Sequence, residues 1–184
     1  KNRWQAPKEL IGNYVHKESV KGPSAYQTVV NKSFMFDSSL PNSSEDCLNQ
    51  NIASPKDASN LPVMIWIHGG AYLTGSAHGS LYQMETLASR GVVLVTINYR
   101  LGPLGFLKLD EATNGKIPST GNEGLLDQRL AIQWVKKNIE AFGGNPENIT
   151  IFGESAGSWS CALQIGMGIK GDFQKVICQS GGGD

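Results

Sequence analysis

The chain has 184 residues, with Lys plus Arg and Asp plus Glu at 16 each, a formal net charge of zero and 40% hydrophobic residues. That balance leaves no electrostatic footprint for nucleic acid and no basic patch for anionic membranes, so neutral partners are favoured. No apolar run approaches the roughly 18 residues of a membrane span.

In chain order, the first sixty residues are polar and rich in Ser, Asn and Pro, which reads as edge hairpins and surface loops. From Leu61 onward the pattern alternates. Short β-rich runs predict strands over 63–67, 92–98, 149–152 and 175–178, and helical spacing predicts helices over 81–89, 125–141 and 156–165. This β-α-β-α-β-α-β order is the signature of an α/β protein with a parallel sheet and helices on its faces. Thr120 and Glu123 are spaced as a capping box at the entry of the long helix, and Gly143, Gly144 and Pro146 end it. Leu126, Leu130 and Trp134, joined by Ala131, Val135 and Ile139, form an apolar stripe expected to be core, with Lys136, Lys137 and Glu140 facing water.

Two motifs carry chemistry. Gly153, Glu154, Ser155, Ala156 and Gly157 follow the apolar run Ile149, Thr150, Ile151 and Phe152. Small residues on both sides of a serine let a strand turn sharply into a helix and push one hydroxyl into the open. Ser155 is the candidate nucleophile; side chains at Gly153 and Gly157 would collide with the neighbouring strand and helix, and Ala156 is small for the same reason. The following helix aims its unpaired N–H groups at the place where negative charge develops in acyl transfer. The competing reading of this motif alone is a tight turn with a buried structural serine.

The second motif is His68, Gly69, Gly70, Ala71 and Tyr72, directly after the strand over 63–67. Esterases built on the α/β-hydrolase sheet carry a His-Gly-Gly loop here, whose N–H groups join the one after the serine in an oxyanion hole. Gly70, Ala71 and Ala156 are therefore the expected donors. With both motifs in this order, a plain glycine loop is the weaker reading.

These residues resemble the type-B carboxylesterase and cholinesterase family. Matching blocks run through Ser44 to Leu48, His68 to Gly70, Asn98 to Phe106, Gly121 and Asn122, Gly124 to Ala131, Phe142 to Pro146, Ile149 to Gly157, and Gln179 to Gly181. The resemblance implies an α/β-hydrolase with a mostly parallel central sheet and helices on both faces. Residues 1–184 would be the N-terminal portion of that single, larger domain: the chain starts at Lys1 and stops at Asp184, where the family continues. It implies two-step acyl transfer on a small-molecule ester, with Ser155 attacking the carbonyl and no metal or organic cofactor. On this fold the order is serine, acid, histidine, so the acid and the histidine are expected beyond Asp184, in the remainder of the parent chain. His68 is then structural, His16 and His78 are expected in exposed loops, and Glu154 packs or hydrogen-bonds beside the nucleophile. Tyr72 is a candidate substrate contact, Trp66 a weaker one, and Ser180 matches a serine near the active-site floor.

Departures from the family pattern carry their own expectations. Cys47 aligns with a cysteine that commonly pairs upstream, but Ala25 and Tyr26 stand there. Cys161 and Cys178 read as small buried hydrophobes. Unpaired thiols favour a reducing compartment, whereas sequons at Asn31, Asn42 and Asn148 favour secretion, which leaves localisation open. Arg3 and Glu45 match a family ion pair, Asn145 replaces the acid that pairs with the position of Arg129, and Asn49 and Gln50 make the strand after Leu48 unusually polar. Cholinesterase-like adhesion proteins lose the nucleophile, so Ser155 argues for an enzyme, although an acyltransferase would share every residue and an isolated segment would be inactive. No tryptophan precedes Cys47 to receive a choline cation, so a general carboxylesterase is expected over a cholinesterase.

Overall fold

In the computed structural model, residues 3–12, 21–27, 42–79, 82, 84–168 and 171–182 are described. Within them, five strands form one sheet: β1 (Gln50–Ala53), β2 (Leu61–Ile67), β3 (Val93–Ile97), β4 (Gly144–Glu154) and β5 (Lys175–Gln179). Four helices accompany them: α1 (Met84–Ala88), α2 (Gly102–Phe106), α3 (Glu123–Asn138) and α4 (Ala156–Gly166). The spatial order is β1-β3-β2-β4-β5. β1 is antiparallel to β3 and every other pair is parallel.

Side-chain alternation explains the layers. Val63, Ile65 and Ile67 of β2 are fully buried, and with Ile149 and Ile151 they form one core with Ile132 and Val135 of α3 and Cys161 of α4. The opposite face of β2 carries Trp66, whose ring packs against Phe152 at 4.9 Å and Tyr82 at 5.1 Å. Thr96, in register with Trp66, reaches Met84 of α1 on that same side. β3 is buried on both faces, as its unbroken apolar and β-branched run requires.

The connections decide where a site can form. From β2 the chain crosses through α1 to β3, then returns through α3 past β2 to β4. Because parallel crossovers are right-handed, this reversal places α1 and α3 on opposite faces. The C-terminal ends of β2 and β4 lie side by side, with Ile67 paired to Gly153. That is a topological switch point, where open α/β sheets form their ligand crevice.

Several local expectations are corrected. Of the expected stripe of α3, Val135 and Ile139 are core and Ala131 and Trp134 pack half-buried against it, whereas Leu126 and Leu130 are only half-buried and the buried face runs through Leu125, Gln128 and Ile132. The helix starts two residues earlier than expected, with Asn122 as N-cap. Glu123 still reaches back to the Thr120 N–H at 2.7 Å, but the Thr120 hydroxyl turns to the Asn122 N–H and the Glu123 carboxylate. β4 begins at Gly144 because its pairing jumps from Leu61–Gly144 to Val63–Ile149, an irregularity that accommodates Pro146. The end of the long helix is a 3-10 turn, Ile139–Phe142, closed by Gly143 at φ +78°. Residues 81 and 83 of the helix expected over 81–89 lie outside the described residues, as do His16 and Asn31. Cys47 and Cys161 are buried and unpaired, but Cys178 is exposed, since β5 is the edge of the described sheet. Arg3 and Glu45 form the expected ion pair.

Candidate active site

Ser155 stands between the end of β4 and the start of α4 with φ +54° and ψ −122°, a conformation that costs a non-glycine residue about 1–3 kcal/mol. Its neighbours hold it there. Its N–H donates to the Gln179 carbonyl at 2.9 Å, and its own carbonyl accepts from the Trp159 N–H at 3.0 Å. A serine at an N-cap ordinarily spends its hydroxyl on the first helical N–H groups. Ser155 does not, and it is half-exposed.

Close approach explains the flanking glycines. A Cβ on Gly157 would stand 2.0 Å from the Ile67 carbonyl oxygen, and one on Gly153 would stand 2.5 Å from the Gly157 backbone and 2.7 Å from that same oxygen. Strand, bend and helix pack backbone on backbone. Gly69, not singled out by sequence reasoning, joins the two motifs: a Cβ there would lie 3.3 Å from the Ser155 Cβ and 2.7 Å from the Glu154 carbonyl.

The loop after β2 is pinned by its carbonyls. Gly70, Ala71 and Tyr72 have φ of +107°, +55° and +59°, a run of three left-handed residues. The Gly70 carbonyl accepts from the Leu73 and Thr74 N–H groups at 2.9 and 3.0 Å, and the Tyr72 carbonyl accepts from the Gly102 N–H at 2.7 Å. Tyr99 donates its hydroxyl to the His68 carbonyl at 2.8 Å, and Gln27 holds both the N–H and the carbonyl of Gly75 at 2.9 Å. Among the described residues, the N–H groups of Gly70, Ala71 and Ala156 have no backbone or side-chain acceptor. In a trans peptide C=O and N–H point opposite ways, so anchoring the Gly69 and Gly70 carbonyls points the Gly70 and Ala71 N–H groups away from those anchors.

The histidines are committed elsewhere. His68 is fully buried, stacks on Tyr99 at 4.4 Å, and bonds through Nδ1 to the Gly69 carbonyl at 2.8 Å. Burial lowers its pKa to about 4, so the ring is neutral. His78 is not in an exposed loop as expected but buried, because three asparagines take up its polar edge. Its Nε2 faces the Asn49 Oδ1 and its Nδ1 faces the Asn51 Nδ2, both at 3.0 Å, with Asn98 close by; burial lowers its pKa as well. Tyr72 packs on Phe106 at 4.8 Å and its hydroxyl accepts from Ser160, with burial raising its pKa. Glu154 and Ser180 are exposed. Sequence reasoning also missed the buried pair of Arg100 and Asp127, bonded at 2.7 and 2.6 Å. The apolar block around Arg100 and the helical position of Asp127 were its signals. Among the described residues, no three His, Cys, Asp or Glu side chains converge on a metal position.

A strained serine with an uncommitted hydroxyl, set beside unpaired amides from a second loop at the switch point of a parallel sheet, defines the α/β-hydrolase class of site. The comparisons agree. A sequence profile of the carboxylesterase family matches residues 1–183, and the chain belongs to that family. It is 52% identical over 145 residues to the para-nitrobenzyl esterase of Bacillus subtilis, covering 77% of this chain and 29% of that protein. It is 52% identical over 149 residues to the bile salt-activated lipase of Mus musculus, covering 74% of this chain and 24% of that protein. A solved thermophilic PNB esterase superposes with a TM-score of 0.87 at 44% identity, over 97% of this chain and 37% of that one. The chain thus spans about a third of the length of these relatives.

Proposed function

We propose that this chain supplies the nucleophile and oxyanion hole of a serine carboxylic ester hydrolase. Ser155 Oγ attacks the carbonyl of a small-molecule ester, and the oxyanion settles on the N–H groups of Gly70, Ala71 and Ala156. The alcohol leaves with a proton, and water then releases the acid from the acyl-serine. The observation that carries this reading is the Ser155 hydroxyl itself: held in a strained bend, unspent on helix capping, and beside Gly69 of the amide loop.

The general base comes from outside the described residues. His68 and His78 are buried in other hydrogen bonds, and every histidine of the 184 residues precedes Ser155, against the order of this fold. We assign the base and its acid to residues C-terminal to this segment, so the 184 residues alone are expected to be inactive. The test uses the full-length protein. A fluorophosphonate probe should label Ser155, as read by peptide mass spectrometry, and Ser155→Ala should abolish both labelling and hydrolysis of para-nitrophenyl acetate. Labelling at another residue, or retained activity in Ser155→Ala, overturns the assignment.

A further inference from the structure

We propose that His68 and Gln27 act together as positioning residues that fix the orientation of the Gly69–Gly70 peptide, and so aim the Gly70 N–H into the oxyanion hole. This rests on the reading of Ser155 and its amide cradle given above. Three contacts form the chain of action. The amide of Gln27 clamps Gly75, accepting from its N–H and donating to its carbonyl, both at 2.9 Å. Gly75, at φ +113°, lies against the Nδ1 side of the imidazole: a Cβ there would fall 2.3 Å from His68 Nδ1 and 2.6 Å from the Gly69 carbonyl oxygen. His68 Nδ1 in turn meets that oxygen at 2.8 Å.

The proton on the ring has one place to be. Among the described residues the one partner of Nδ1 is a carbonyl and Nε2 is buried with none, so Nδ1 carries the hydrogen, since one on Nε2 would be an unpaired buried donor. The Gly69 carbonyl is therefore held by a directed N–H···O bond, and planarity of the trans peptide sends the Gly70 N–H the opposite way. Stacking on Tyr99 at 4.4 Å and 15° fixes the plane of the ring. Gln27 belongs to the polar N-terminal segment, 48 residues from the glycine it clamps.

The test compares four variants of the full-length protein with wild type. His68→Phe keeps a stackable ring without the donor, His68→Asn restores an N–H near the Nδ1 position, and Gln27→Leu removes the clamp. Tyr99→Phe is the control, because it removes a bond to the His68 carbonyl, whose peptide carries the N–H of Gly69 and not of Gly70. Losing one oxyanion donor outright costs about 100- to 1000-fold in rate, so a misaimed donor should cost His68→Phe about 10- to 100-fold in kcat. KM should stay within about threefold, and affinity for an alkyl trifluoromethyl ketone, whose serine adduct bears an oxyanion, should fall in parallel. Gln27→Leu should lose about tenfold in kcat, and adding it to His68→Phe should lose little more, as coupled residues do. His68→Asn should recover most of the rate, and Tyr99→Phe should lower the Tm while keeping kcat within about threefold. If His68→Phe does not fold, Gln27→Leu and His68→Asn carry the test. Wild-type kcat and ketone affinity in both His68→Phe and Gln27→Leu overturn this inference while Ser155→Ala remains inactive; activity in Ser155→Ala overturns the underlying reading instead.

Discussion

Replacing Gly157 with alanine places a methyl group 2.0 Å from the Ile67 carbonyl oxygen and 3.0 Å from that of His68. Neither is the free end of a flexible side chain. Ordinary contact begins near 3.4 Å, so the first turn of α4 must retreat by roughly an ångström, and overpacking of this kind costs about 1–3 kcal/mol. The kinetic cost should be larger than the stability cost implies. The retreat carries Ser155 and the Ala156 N–H away from the loop at Gly69 to Ala71, and a misplacement of about 1 Å costs on the order of 100-fold in rate. Gly166, at the far end of the same helix, is the matched control, because a Cβ there meets nothing within 4 Å. Gly166→Ala should leave the rate unchanged and gain up to about 1 kcal/mol from helix propensity. The assay is para-nitrophenyl acetate hydrolysis with thermal unfolding of both variants in the full-length protein. Wild-type kcat in Gly157→Ala would refute the packing argument.

Three further outcomes follow from buried groups. His68 has a folded pKa of about 4 against 6.5 for the free side chain, so between those values the unfolded chain takes up a proton that the folded ring refuses. Stability is then lost as pH falls from about 7 to 4, by about 3 kcal/mol in full, and urea midpoints should show His68→Asn losing less over that range than wild type. Asp127→Ala removes the bidentate partner of Arg100 from a site where the carboxylate is 0% exposed; urea unfolding should show a loss of about 3–5 kcal/mol. Burial pushes the thiols of Cys47 and Cys161 up to about 12, so both should resist iodoacetamide in the native protein at pH 8 and react once it is denatured.

The parts of this molecule that could be read from its sequence are those dictated by local chemistry. The β-branched runs gave β2, β3 and β5, and the glycine spacing around Ser155 announced the strand-to-helix bend, because both follow from backbone sterics within a few residues. Apolar periodicity centres the stripe of α3 on Leu126, Leu130 and Trp134, whereas the most buried face carries a polar Gln128, which donates to Ser160 at 3.0 Å, beside Leu125, Ile132 and Val135. Periodicity cannot see that a buried glutamine is satisfied by a serine 32 residues away. β1 is the polar strand that the resemblance places after Leu48; Gln50 and Asn51 give it no apolar alternation of its own, and its pairing with β3 fixes it. Local sequence reads His78 as exposed because its three asparagine neighbours are distant in sequence, Asn49 and Asn51 at β1 and Asn98 just after β3.

That last case shows what the polar N-terminal segment does. Ser24 bonds to Ser76 at 3.0 Å, Asn49 Oδ1 meets His78 Nε2 at 3.0 Å, and Gln27 bonds to both backbone groups of Gly75, joined by Asn98, just after β3, which accepts from the Ala77 N–H at 2.8 Å. All of these converge on residues 75–78, the stretch that follows the loop of unpaired amides. A loop that leaves N–H groups open for a ligand cannot be secured by those same groups, and buried carbonyls and amides left unsatisfied would each cost about 1–3 kcal/mol. The remaining backbone must be held by side chains from elsewhere, and short amides and hydroxyls do this with directed bonds. The Ser, Asn and Gln content that resembles solvent-facing loop composition is thus partly interior, where it secures the stretch that follows the loop of Gly70 to Tyr72.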